Sequence, residues 1–143
     1  MSGEALVRRF YEELWNRWRL DLSDEILAPD VRFRGTLGRS LVGIGDFRRY
    51  VETVRAAFPD WTNRIDELIS AGDTVVARIR CAGTHEGELF GVPPTGRRVA
   101  YDAVAIFHLE GERIAEAWVV GDTQELWRAL GSAPPSLEGS RTG

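Results

Sequence analysis

The hydrophobic period of the chain changes once. Before Pro59 apolar residues recur every three or four positions; from Trp61 to Val120 they recur at every second one. The first spacing lines one face of a helix and the second lines one face of a strand. Two short glycine turns, Ala71-Gly72-Asp73 and Glu110-Gly111-Glu112, divide the alternating half into antiparallel hairpins. Helices first and hairpins after describe an α+β domain. The expected form is a cone-shaped, barrel-like domain, with N-terminal helices packed on a curved, largely antiparallel sheet that encloses a pocket.

The helical half divides further. "SGEALVRRFYEELWNRW" reads as an amphipathic helix with Ser2 as its cap and Leu6, Val7, Phe10, Leu14 and Trp18 as its buried stripe. "LSDEILAPD" predicts a short second helix, capped by Ser23 and stopped by Pro29; "VRFR" predicts a first strand. "GDFRRYVETVRAAFPD" predicts a third helix that Asp46 caps, with Phe47, Tyr50, Val51, Val54 and Phe58 turned inward. "DTQELWRAL" predicts a last helix, and residues 132–143 read as a polar, proline-rich tail to a single domain over 1–131.

Absences limit the chemistry. All 18 basic residues are arginine, so no lysine amine can form a Schiff base. Only His85 and His108 exist, too few for a three-histidine zinc site, and neither metal nor cofactor is expected. There is no phosphate-binding glycine loop and no nucleophile elbow. A net charge of -4 disfavours nucleic acid as a partner. With no apolar run of spanning length and no signal-type leader, the expectation is a cytoplasmic protein that does not enter membranes.

Strand parity suggests which side chains face the pocket. Ile114, Glu116, Trp118 and Val120 share one face of the last strand, and Asp122 continues it. Facing inward, Asp122 would be a carboxylate among apolar groups, where burial favours a proton shuttle. An aspartate before a helix is more commonly an N-cap. His85 shares parity with Val75, Ala77, Ile79 and Cys81, so it is placed inward, whereas His108 is placed outward. Tyr11, Trp15 and Trp18 on the first helix and Tyr50 on the third could line the pocket, although core packing is the commoner use of such aromatics.

"GTHEGELFGVPPTGRRV" and "EGERIAEAWVVGDTQELWRALG" resemble the SnoaL-like polyketide cyclases of the nuclear transport factor 2-like superfamily. Two motifs carry the likeness: Gly83-x-His85-x-Gly87 leading to Pro93-Pro94-Thr95-Gly96, and Glu116-x-Trp118-x-x-x-Asp122. The resemblance implies a segment that links two long strands and closes over the cavity mouth, with apolar residues such as Phe90 toward the ligand. It also implies intramolecular aldol ring closure with Asp122 as acid/base, helped by His85. Substrate contacts would come from Trp118, Glu116, Tyr11, Trp15, Tyr50 and Phe90. The implied ligand is a small hydrophobic or aromatic polyketide-like molecule, and the implied assembly a homodimer or homotetramer. Other members of the superfamily keep three further readings open: a hydroxylase, an epoxide hydrolase using an aspartate-arginine-aspartate set, and a non-catalytic small-molecule-binding domain.

Overall fold

A computed structural model describes residues 2–37 and 39–132. The proposed tail thus lies outside the described residues, apart from Ser132. The element order is α1 (Gly3–Arg9), a wider π-helical continuation (Phe10–Trp15), a 3-10 turn (Leu20–Leu22), α2 (Ser23–Ile26), β1 (Leu27–Arg34), β2 (Ser40–Val42), α3 (Ile44–Ala57), β3 (Thr62–Ala71), β4 (Thr74–Thr84), β5 (Arg98–Glu110), β6 (Arg113–Gly121) and α4 (Thr123–Leu130). The α+β expectation holds. One sheet of order β2-β1-β6-β5-β4-β3 curves over the helices without closing. Four of its five pairings are antiparallel; β1 and β6 run parallel.

The first helix begins as expected, with the Ser2 hydroxyl accepting the Ala5 amide at 3.1 Å. It then widens, so that the Asn16 amide donates to Tyr11 O, five residues back. Phe10, Tyr11, Leu14 and Trp15 all point into the core from this wide segment. Trp18 takes a φ of 54° and ends the run. Helix α3 carries the expected stripe, with Phe47, Tyr50, Val51 and Val54 buried and Phe58 buried just past its end.

Three local expectations are corrected. Ser23 is no cap: its hydroxyl donates backward to Leu20 O at 2.7 Å. Pro29 does not follow a helix end, because β1 has begun at Leu27 and passes through it; an irregular register between Leu27 and Arg32 accommodates the proline on this strand. Gly43 rather than Asp46 precedes α3, with a φ of 91° that an L side chain rarely adopts.

Strands β4 and β5 supply the floor of the core through Val75, Ala77, Ile79 and Cys81, and through Val99, Tyr101, Ala103, Ala105 and Phe107. Phe10 is the hub on the helical side, with ring centroids 5.0–6.4 Å from those of Tyr11, Phe33, Phe47 and Phe107. Among the described residues no helix is long and apolar enough to cross a membrane.

Candidate active site

Between the helices and the concave face of the sheet lies a hollow that opens to solvent. Tyr11 and Trp15 reach it from the wide helical turn, Tyr50 and Val54 from α3, and Phe58 and Trp61 from the link to β3. The sheet and the β1–β2 connection contribute Asn63, Ile79, Cys81, Tyr101, Val119, Thr36 and Leu37. No aspartate, glutamate, histidine or arginine is among the described residues that line it.

Its polar groups are neutral. The hydroxyls of Thr36 and Tyr101 are 2.8 Å apart. Burial pushes the phenols of Tyr11 and Tyr101 well above their ordinary value and raises that of Tyr50 as well, so all three stay protonated near neutral pH. Burial likewise raises the Cys81 thiol to about 12, and its S–H donates to Asn63 Oδ1 at 3.4 Å. These groups can give hydrogen bonds to a ligand, but none is poised to take a proton. Two further donors, the Trp15 indole N–H and the Asn63 amide NH₂, are buried without a partner among the described residues.

Of the residues expected to contact substrate, Tyr11, Trp15 and Tyr50 line the hollow. Glu116, Trp118 and Asp122 do not, and one local feature explains all three. Leu109 pairs with Ile114 but His108 pairs with Glu116, so Ala115 is an extra residue in β6. Such a bulge exchanges the two faces of everything after it. Ile114 therefore points inward as expected, while beyond the bulge Ala117 and Val119 are the inward residues. Trp118 is 43% exposed on the outer face, with the Arg34 guanidinium 5.2 Å over its ring. Glu116 takes an ion pair from Arg32 at 3.2 Å and lies 3.6 Å from His108.

Asp122 follows the same phase. Its side chain is exposed, beside Arg78, Asp102 and Val120. It occupies the N-cap position of α4 but makes no capping hydrogen bond. Its backbone stays close to the hollow, since the preceding Gly121 packs on Thr36; an added Cβ would lie 3.0 Å from Thr36 Cγ2. Asp102 is also outside the hollow, paired with Arg80 at 3.1 Å. Among its described lining residues the hollow therefore holds no aspartate-arginine-aspartate set.

His85 is fully buried, in keeping with its inward parity, but it is packed beside the hollow rather than lining it. Its main chain bonds to both Gly96 and Arg97, its Nδ1 accepts the Thr95 amide at 3.2 Å, and the Thr95 hydroxyl is 3.1 Å away. The proton therefore resides on Nε2, which makes no well-formed hydrogen bond among the described residues but has the Gly87 carbonyl near the ring. Burial holds its pKa below the ordinary value, partly offset by the Gly87 carbonyl. With the Phe58 ring at 5.5 Å and the amides of Glu86 and Gly87 bonded to Ala57 O, the histidine pins the glycine- and proline-rich segment to the end of α3. Gly87 is required there, because a Cβ would stand 2.0 Å from Ala56 O. Phe90 is not in the hollow either. A tight turn with positive φ at Phe90 and Gly91 directs it to a surface groove, where the Arg39 guanidinium sits 4.6 Å over its ring.

Both the sequence and the fold are matched among known proteins. The family model of the SnoaL-like polyketide cyclases matches residues 5–130. This chain belongs to the SnoaL-like polyketide cyclases. It is 32% identical over 130 residues to the nogalonic acid methyl ester cyclase of Streptomyces nogalater, covering 89% of this chain and 96% of that one. It is 31% identical over 144 residues to the aklanonic acid methyl ester cyclase of Streptomyces galilaeus, covering 99% of both. Among solved structures, one from Jannaschia Sp. CCS1 provisionally assigned to the same family superposes with a TM-score of 0.84 at 26% identity, covering 93% of each chain.

Among the described residues no three His, Cys, Asp or Glu side chains converge as metal ligands would. Sequence reasoning overlooked Asn63, Thr36 and Tyr101 as lining residues. The signal for Asn63 was present: it alternates with Trp61 and Ile65, so a polar side chain stands at an inward position of a strand.

Proposed function

We propose that this chain closes a carbocyclic ring in a polyketide-type keto ester by an intramolecular aldol reaction. The observation that carries this reading is a hollow whose described lining residues are all aromatic, aliphatic or neutral polar, in a chain of a cyclase family. Its aromatic walls suit a flat, conjugated substrate, and its protonated phenols suit carbonyl oxygens. The named activities of the two Streptomyces relatives make the methyl esters of nogalonic and aklanonic acids the first substrates to try.

In this reading Asp122 transfers the proton. Its support is the matching motif and the contact of Gly121 with Thr36, which puts the Asp122 backbone at the rim of the hollow. Its carboxylate makes no capping hydrogen bond that would have to break before it turned toward bound substrate. Asp122 takes a proton from the carbon between two carbonyls. The released electron pair forms a bond to a second carbonyl carbon, whose oxygen becomes an alkoxide. The carboxylic acid then returns its proton to that oxygen. His85 supports the site by fixing the loop.

Ring closure of this kind is an isomerisation, so mass spectrometry separates the readings. Incubating the protein with aklanonic acid methyl ester should give a product of unchanged mass and shifted retention, with one ketone carbon signal lost. Addition of an oxygen atom would identify a hydroxylase, and conversion of the methyl ester to the free acid with release of methanol a hydrolase. Substrate that is bound and recovered unchanged would make the domain a binding module. Each of these three results contradicts the cyclase reading.

A further inference from the structure

Asn63 is an unexpected residue for its place. It stands on β3, a strand at the edge of the sheet, at an inward position and only 5% exposed. Asparagine is disfavoured in strands, and a branched apolar residue would fill such a site without burying an amide. The structure nevertheless fixes this residue from several directions. The Asn16 amide clamps its backbone, donating to Asn63 O at 2.9 Å and accepting from Asn63 N at 2.8 Å. The Cys81 S–H donates to Asn63 Oδ1 at 3.4 Å. With its carbonyl half engaged, the amide leaves its NH₂ half unpartnered among the described residues, on a side chain that lines the hollow.

Trp15 repeats the pattern from the opposite layer. It is 5% exposed, and the edge-on rings of Phe47 and Tyr50, each with centroids 6.1 Å from its own, hold it in place. Its indole N–H is likewise buried without a partner among the described residues, and the residue itself lines the hollow. An unpaired buried donor destabilises a fold, and native proteins keep few of them. Two on the walls of one hollow are explained together if a ligand supplies the missing acceptors.

We propose that the Asn63 amide and the Trp15 indole are the specificity-determining donors of this hollow, each hydrogen-bonding a neutral carbonyl oxygen of a flat, largely apolar ligand. This rests on the hollow being the substrate site, and it adds which atoms of the substrate are read. No charged side chain faces the hollow among its described lining residues, so the oxygens recognised are those of a ketone, quinone or ester rather than of a carboxylate. A donor that holds a ketone oxygen also gains strength as that oxygen acquires charge in an enolate.

The test uses binding, so it stands apart from turnover. 9-Fluorenone and fluorene share one tricyclic skeleton and differ by a carbonyl oxygen. Wild-type protein should bind fluorenone more tightly. Asn63→Leu and Trp15→Phe should each reduce that preference by about 2- to 12-fold, the span of one lost hydrogen bond, while fluorene affinity changes little. In ¹H–¹⁵N spectra of the wild type, fluorenone but not fluorene should move one indole N–H downfield, and Trp15→Phe identifies that signal as its own. This readout remains if either variant fails to fold. Equal affinity for the two probes, binding of neither, equal loss of both in the variants, or an unmoved Trp15 signal would overturn the proposal. Failure of the cyclase reading with an intact fluorenone preference would leave these donors assigned and change only the reaction.

Discussion

The loop around His85 should make stability depend on pH in a way one substitution removes. In the folded chain Nδ1 accepts the Thr95 amide and the ring is fully buried against Phe58. Protonation would destroy that acceptor and place a cation in an apolar setting, which is why burial lowers the pKa. The unfolded histidine binds its proton near pH ~6.5. Between that value and the lower folded one, the unfolded state holds more protons, so stability rises with pH. The contribution is complete above ~6.5 and is lost on acidification, at up to about 1.4 kcal/mol per pH unit. For a domain of this size, each such unit lowers the melting temperature by roughly 3–8 °C. His85→Asn places an amide oxygen near the position of Nδ1 and does not titrate. It should melt lower than wild type at pH 8, by about 1–3 kcal/mol for the lost ring contacts, but its curve should be flatter between pH 7 and pH 5. Carboxylates such as Asp21 and Asp66, held low by hydrogen bonds from Arg19 and Arg64, stabilise above roughly pH 4 and lose that effect below it, in both proteins alike. Thermal scans of both proteins from pH 5 to pH 8 decide the matter. Parallel curves would refute the argument, and would mean that His85 accepts a proton without losing its place in the loop.

Phe10→Ala should cost about 3–5 kcal/mol and lower the transition by about 10–20 °C, because four aromatic rings lose a common neighbour; a loss below 1 kcal/mol would show that the core collapses around the gap. The outer sheet face exposes Trp118, Val120 and Val104, with Val104 directly opposite Val120, and we expect it to be covered in a homodimer or homotetramer. Light scattering should give the oligomer for wild type and the monomer for Val104→Glu with Val120→Glu, whereas a monomeric wild type at micromolar concentration would contradict this. A hollow without a cation should also prefer the methyl ester of a substrate to its free acid by ~10-fold or more in kcat/KM; equal or better turnover of the acid would count against the hollow as the site.

The fold was largely legible because its signals are local. The change of period at Trp61 marks the real passage from helices to hairpins, and both glycine turns occur where expected, with Gly72 at a φ of 58° and Gly111 at 62°. What the sequence concealed depends on long-range pairing. The bulge at Ala115 has no mark in the residues themselves, yet it turns Glu116, Trp118 and Asp122 away from the hollow. Parity counted without it assigns all three to the wrong face. The wide turn of the first helix and the short strand β2 are equally silent, since neither carries a spacing of its own. His85 was placed on the correct face, but its hydrogen bonds to Thr95 across the loop could not be read from spacing.

Turnover by Asp122→Asn, read as mass-neutral ring closure of aklanonic acid methyl ester, tests the proposed mechanism most directly. Asp122 makes no capping bond, so neither Asp122→Asn nor Asp122→Ala should shift the melting temperature by more than ~3 °C. If this carboxylate moves the proton, both variants should lose ~100- to 10,000-fold in rate while remaining folded and still binding the substrate. An Asp122→Asn protein that melts normally and closes the ring at the wild-type rate would contradict the account, and would place the base elsewhere on the rim of the hollow.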